Sequence, residues 1–175
     1  MIVKRRYKSA ERVAMLGLLA AFAAVLSYIE TLIPFVIWIP GVKLGLANIA
    51  IVATLFMFGV KEASVVNIVR IMIVGFLFGN MFSILFSIAG AFASLIAMYM
   101  IKRTDLFSAI GVSVAGGVAH NIGQMLVSAM VVDSYSITYY IPVLIIAGIV
   151  MGIFIGIVGG LLIKYMNAIL KNKNI

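Results

Sequence analysis

The chain has 175 residues, 65% of them hydrophobic and only 10% charged, with a mean hydropathy of +1.27. A soluble domain carries about 25% charged residues, so this chain cannot cover an aqueous surface, and its length leaves no room for a separate soluble domain beside the spans. Its net charge of +8 does not indicate nucleic acid, because the basic residues flank apolar stretches as membrane-orienting charges do.

An apolar stretch of about 20 residues crosses the hydrocarbon core, and the chain divides into such stretches from its start. Residues 1–12 form a basic segment with Lys4, Arg5, Arg6, Lys8 and Arg12. The apolar run behind it is too long for a signal peptide and continues into Ser27, Tyr28, Ile29 and Glu30. It reads as a retained helix over about 13–31, stopped before Pro34. Its small residues fall four apart as Ala10 and Ala14, Gly17 and Ala21, and Ala20 and Ala24. Such a face either packs inside a bundle or docks a partner.

Residues 34–43 hold Pro34, Pro40-Gly41 and the single tryptophan, Trp38, and read as a cap loop at the outer interface. Further helices follow over about 44–58, 62–78, 81–101, 107–132 and 139–165. Across Gly79 and Asn80 one long kinked helix is the alternative. The last helix carries Gly148, Gly152, Gly156 and Gly160 at four-residue spacing, a flat stripe suited to internal packing or to a subunit contact.

The expected fold is therefore all-α, a single integral membrane bundle of six transmembrane helices over 1–175. The basic residues orient it. With both termini cytoplasmic, the inner segments hold the N-terminal cluster, Lys61, Lys102, Arg103, Lys164, Lys171 and Lys173. Lys43 alone falls outside, and Arg70 falls within a span. An odd number of spans would put one basic cluster on the wrong side. The expected location is the plasma membrane, multi-pass, in a bacterium.

The polar residues inside the apolar segments carry the functional signal, because polar side chains in hydrocarbon are costly unless used or satisfied. Arg70 lies deep in the third helix and needs an anion, a carboxylate or carbonyls. Glu30 near the end of the first helix is a candidate partner, and an anion site for a substrate is the other reading. His120 and Gln124 are four apart and share a helix face, with Asn121 beside them. They suit recognition of a ring or amide in a cavity, or else clasp neighbouring helices. Asn48 and Asn80 lie toward the same outer side, and Lys43 there could attract an anionic solute.

Several chemistries are excluded. The chain has no cysteine and one histidine, so zinc or copper is not expected. Its carboxylates, Glu11, Glu30, Glu62, Asp105 and Asp133, are scattered and form no magnesium–diphosphate site. It has neither a phosphate-binding glycine loop nor a nucleophile elbow. No cofactor and no enzyme activity are expected.

Several strings then act together. They are Pro40-Gly41-Val42-Lys43-Leu44-Gly45-Leu46-Ala47-Asn48, Gly75-Phe76-Leu77-Phe78-Gly79-Asn80, Phe86-Ser87-Ile88-Ala89-Gly90, and Val112-Ser113-Val114-Ala115-Gly116 leading to His120-Asn121-Ile122-Gly123-Gln124. With them the chain resembles the family described both as "Gx transporter" and as "heptaprenyl diphosphate synthase component I", from about Arg12 to Tyr165. That family in turn looks like the substrate-binding S-components of energy-coupling-factor (ECF) vitamin transporters.

The resemblance implies a six-helix protein that binds a small-molecule solute, a vitamin or a quinone or isoprenoid precursor, at its outer side. It implies docking, within the lipid bilayer, on a transmembrane coupling subunit driven by two ATPases. The docking face would be Ala10/Ala14 or Gly17/Ala21 with Ala24 on the first helix, and the loop with Trp38 and Lys43 would cap the solute. The synthase description fits only a non-catalytic partner of a diphosphate synthase, since the aspartates are Asp105 and Asp133 alone.

Overall fold

The computed structural model describes residues 9–32, 44–132 and 139–172. They form six α-helices, with no strand among the described residues: α1 (Ser9–Leu32), α2 (Asn48–Met57), α3 (Val60–Phe78), α4 (Met81–Arg103), α5 (Ala109–Val132) and α6 (Ile141–Asn172). The cap loop expected at 34–43, with Trp38 and Lys43, lies outside the described residues.

Four helical stretches are long and apolar enough to cross a membrane: Ser9–Leu32, Met81–Arg103, Ala109–Val131 and Ile141–Ile169. The chain is a multi-pass membrane protein. Large apolar side chains such as Phe76, Leu77, Phe92, Leu126 and Ile146 face outward, as a lipid-facing surface requires.

The second helix is shorter than the sequence suggests. Residues 44–47 form a turn in which Gly45 takes φ +69° and accepts at its carbonyl from the Asn48 N–H at 2.8 Å. A left-handed φ of this kind is easy only for glycine. The helix proper has 10 residues, about 15 Å at 1.5 Å per residue, half the hydrocarbon thickness. Every residue from Asn48 to Leu55 is buried. A helix apolar on all sides is a core element, and α2 takes that place, in contact with α1, α3, α5 and α6.

The α3–α4 junction is a sharp turn, not a kinked helix. Gly79 and Asn80 are both extended, and Asn80 Oδ1 accepts the Ser83 N–H at 2.8 Å as an N-cap.

Glycine governs the α5–α6 contact. A Cβ on Gly148 would stand 2.9 Å from Val118 Cα, on Gly152 2.6 Å from Val114 Cα, and on Gly156 2.5 Å from Ile110 Cα. The two helices thus meet backbone to backbone over three successive turns, and the stripe is internal packing. Gly160 does not continue it, since a Cβ there would meet only Ala109 Cβ at 3.9 Å.

The bundle has two unlike ends. At one, Arg12 in α1 pairs with Glu62 in α3, and Lys61, Lys102, Arg103 and Lys164 lie nearby along their helices. Lys102 donates to the Leu55 carbonyl in the last turn of α2 and lies 4.9 Å over the Phe56 ring. A cation is well placed against the carbonyl end of a helix. At the other end, where α1 stops and α2 begins, Glu30 is the charged residue among those described.

Replacing Gly152 with leucine should lower the stability of the purified chain by about 1–3 kcal/mol or more, because backbone cannot move aside as a side chain can. Gly17→Ala, where a Cβ meets nothing within 4 Å, should not lower it and should raise it by up to about 1 kcal/mol through helix propensity. Thermal unfolding of both variants in detergent compares them directly.

Candidate functional site

Two groups of buried polar residues gather from the middle of the bundle toward its sparsely charged end, whereas Thr54, Ser94 and Ser113 are buried outside them. The first lies between α1 and α3. On α3, Ala63, Val66, Asn67, Arg70 and Ile71 are buried at helical spacing, so one face turns inward. On α1, Leu19, Ala23 and Ser27 are buried four apart. Where these faces meet, Arg70 Nε donates to Asn67 Oδ1 at 2.8 Å and Arg70 Nη1 donates to Ser27 Oγ at 3.1 Å. Arg70 stands about 12 Å below the end of α3 at Phe78, counting 1.5 Å per residue.

Glu30 does not take the role of ion-pair partner. The Arg12–Glu62 pair is the sole salt bridge among the described residues. Glu30 instead accepts the Gly45 N–H at 2.6 Å, bracing the turn that leads into α2. Asn48, in the first turn of α2, is buried beside that same turn; a Cβ on Gly45 would lie 3.2 Å from its Nδ2.

The second group lies on α5. His120 and Gln124 share a face turned toward α4, where Gly90 makes room for them. A Cβ there would lie 2.8 Å from Gln124 Cγ and 2.9 Å from His120 Cε1. Asn121 faces another helix. It lies about 100° around α5 from His120 and about 60° from Gln124, and its Nδ2 donates to the Leu144 carbonyl of α6 at 2.9 Å. The expected wall of three polar side chains is thus split, with Asn121 acting as a helix-to-helix clasp.

Hydrogen-bonding capacity is left over in both groups. Asn67 Nδ2 and Gln124 Nε2 are buried with no partner among the described residues. A buried donor left unmade costs about 1–3 kcal/mol, so these atoms mark positions where a guest could contribute.

The other sequence candidates divide. The Asn80 side chain is exposed and engaged in capping α4. Trp38 and Lys43 lie outside the described residues. Ala10, Ala14, Gly17 and Ala21 lie on the exposed side of α1, with Ala24 half-buried. Ser27, Asn67 and Gly90 were not singled out from sequence. Asn67 has a signal in its three-residue spacing from Arg70; Gly90 closes one of the strings that carry the family resemblance, but nothing in the string shows that it faces His120 and Gln124. At the basic end a cleft of about 800 Å³ opens among Phe56, Phe58, Lys102, Asp105 and Phe107. None of His120, Gln124, Asn67 and Arg70 lines it. Among the described residues no three His, Cys, Asp or Glu side chains converge.

The family model for heptaprenyl diphosphate synthase component I matches residues 19–162. The chain belongs to the heptaprenyl diphosphate synthase component I family. The matched span takes in both polar groups, Gly90 and the α5–α6 glycine contact, whereas Ala10, Ala14 and Gly17 precede it. No curated protein and no solved structure matches the chain.

As a clasp, Asn121 should contribute modestly. Asn121→Ala is expected to lower stability by about 0.6 kcal/mol, the average for such contacts in membranes, as read from thermal unfolding in detergent.

Proposed function

We propose that this family member is the substrate-binding S-component of an ECF-type transporter. It captures a small organic solute from the outer side for ATP-driven uptake and is not itself an enzyme. In this reading all six helices lie in the plasma membrane of a bacterium, α2 as a half-length core element, and both termini are cytoplasmic. The sparsely charged end then faces outward, Ser27 and Gln124 lie in the outer half, and Arg70, Asn67 and His120 lie near the middle of their helices.

The observation that carries the reading is Arg70 itself. A guanidinium buried in the bundle with hydroxyl and amide partners, and no carboxylate at ion-pair distance among the described residues, has charge to offer a solute. The exposed small face of α1 supports it, since Gly17 stands in open space where a coupling subunit could approach closely. Transport requires that subunit and two ATPases as partners.

Cells expressing the chain with a coupling module should accumulate solute, and cells lacking the module should not. Uptake independent of the module contradicts the reading. Gly17→Leu should reduce uptake and co-purification of the coupling subunit while leaving solute binding to the isolated chain intact.

The family description favours a second reading, a non-catalytic membrane subunit of a heptaprenyl diphosphate synthase. It requires a soluble catalytic subunit that co-purifies with the chain and loses activity without it.

A further inference from the structure

The Arg70 group has a definite hydrogen-bonding polarity. Arginine can only donate. Its Nε–H points at Asn67, so the amide must present Oδ1 to it at 2.8 Å. That fixes the amide orientation and leaves Asn67 Nδ2, a donor, as the atom without a partner among the described residues. Asn67 is 1% exposed and Arg70 9% exposed, so both polar groups are enclosed by the bundle and not bathed in water. Gln124, at a similar depth on α5, also keeps an amide atom without a partner among the described residues.

The charge has a definite size as well. Arg70 is the one Lys or Arg among the described residues of the sparsely charged half; Glu30, the charged carboxylate at that end, accepts the Gly45 N–H and stands outside ion-pair distance of the guanidinium, so no carboxylate of the described residues occupies its fork. A site with one cation and unspent donors calls for a single negative charge with several acceptor lone pairs. A carboxylate meets both conditions and matches the fork of a guanidinium. A phosphate monoester carries about −1.5 to −2 at neutral pH, and a diphosphate more, which would leave net negative charge enclosed in a low-dielectric bundle.

We infer that the solute recognised at Arg70 and Asn67 is a small organic monoanion presenting one carboxylate, and that a prenyl diphosphate is not the ligand of this site. This rests on the solute-capture reading above.

The test uses the full chain in lipid nanodiscs and a small-molecule extract of cells as the probe. The extract is offered untreated and after methyl esterification of its carboxyl groups. Native mass spectrometry then reads what the chain retains. The inference expects a retained compound with one carboxylate and no phosphate, absent from the esterified arm. Arg70→Gln should lower retention at least about tenfold, the scale of a lost charge-assisted contact, and Arg70→Lys should lose less.

Asn67→Asp separates recognition from folding. It gives Arg70 an internal carboxylate, so the chain stays folded by thermal unfolding while retention falls at least about tenfold. A retained compound that is neutral, cationic or phosphorylated overturns the inference, as does undiminished retention by Asn67→Asp. If the wild-type chain retains nothing from either arm, the solute-capture reading fails and the inference falls with it.

Discussion

The hydrocarbon of a bilayer offers no hydrogen bonds, so each polar side chain at that depth must find a partner in the chain, in bound water or in a guest. That constraint organises this protein. Asn121 answers it with the Leu144 carbonyl and Glu30 with the Gly45 N–H; Lys102 reaches the last turn of α2. The Arg70 group answers it only in part. Its hydrogen bonds to Asn67 and Ser27 hold the guanidinium in place, yet they leave its charge without a carboxylate at ion-pair distance among the described residues. The unfinished accounting is what distinguishes this group from the clasps elsewhere in the bundle.

Close packing makes the arrangement possible. Gly148, Gly152 and Gly156 let α6 lie against the α5 backbone, and Gly90 lets α4 approach the face that carries His120 and Gln124. Without hydrophobic drive between helices in lipid, such close approach supplies the attraction. It also fixes the rotation of α5, which decides that His120 and Gln124 turn to α4 while Asn121 turns to α6. α2, short and buried from Asn48 to Leu55, fills the centre that the other helices enclose.

Much of this was legible in the residues. Runs of apolar sequence separated by short polar breaks give the order of the helices, because the bilayer demands them. The four-residue glycine spacing gives the packing stripe. Other features depend on facts that composition does not carry. The left-handed turn at Gly45 shortens α2, although the apolar run reads unbroken. His120, Asn121 and Gln124 look like one cluster in a string, but helical rotation separates the middle one. In the string Asn80 resembles the amides that turn out buried, yet its place after Gly79 makes it an exposed cap. Gly90 is distinguished only by what faces it across the α4–α5 contact.

The central claim is that Arg70 is held ready for a guest and is not neutralised by the chain. An experimental structure of the protein purified with its solute, in nanodiscs, tests it most directly. The account predicts non-protein density against the Arg70 guanidinium and within hydrogen-bond reach of Asn67 Nδ2. A carboxylate of the chain itself, Glu30 above all, found in bidentate contact with Arg70 and with no guest present would contradict it.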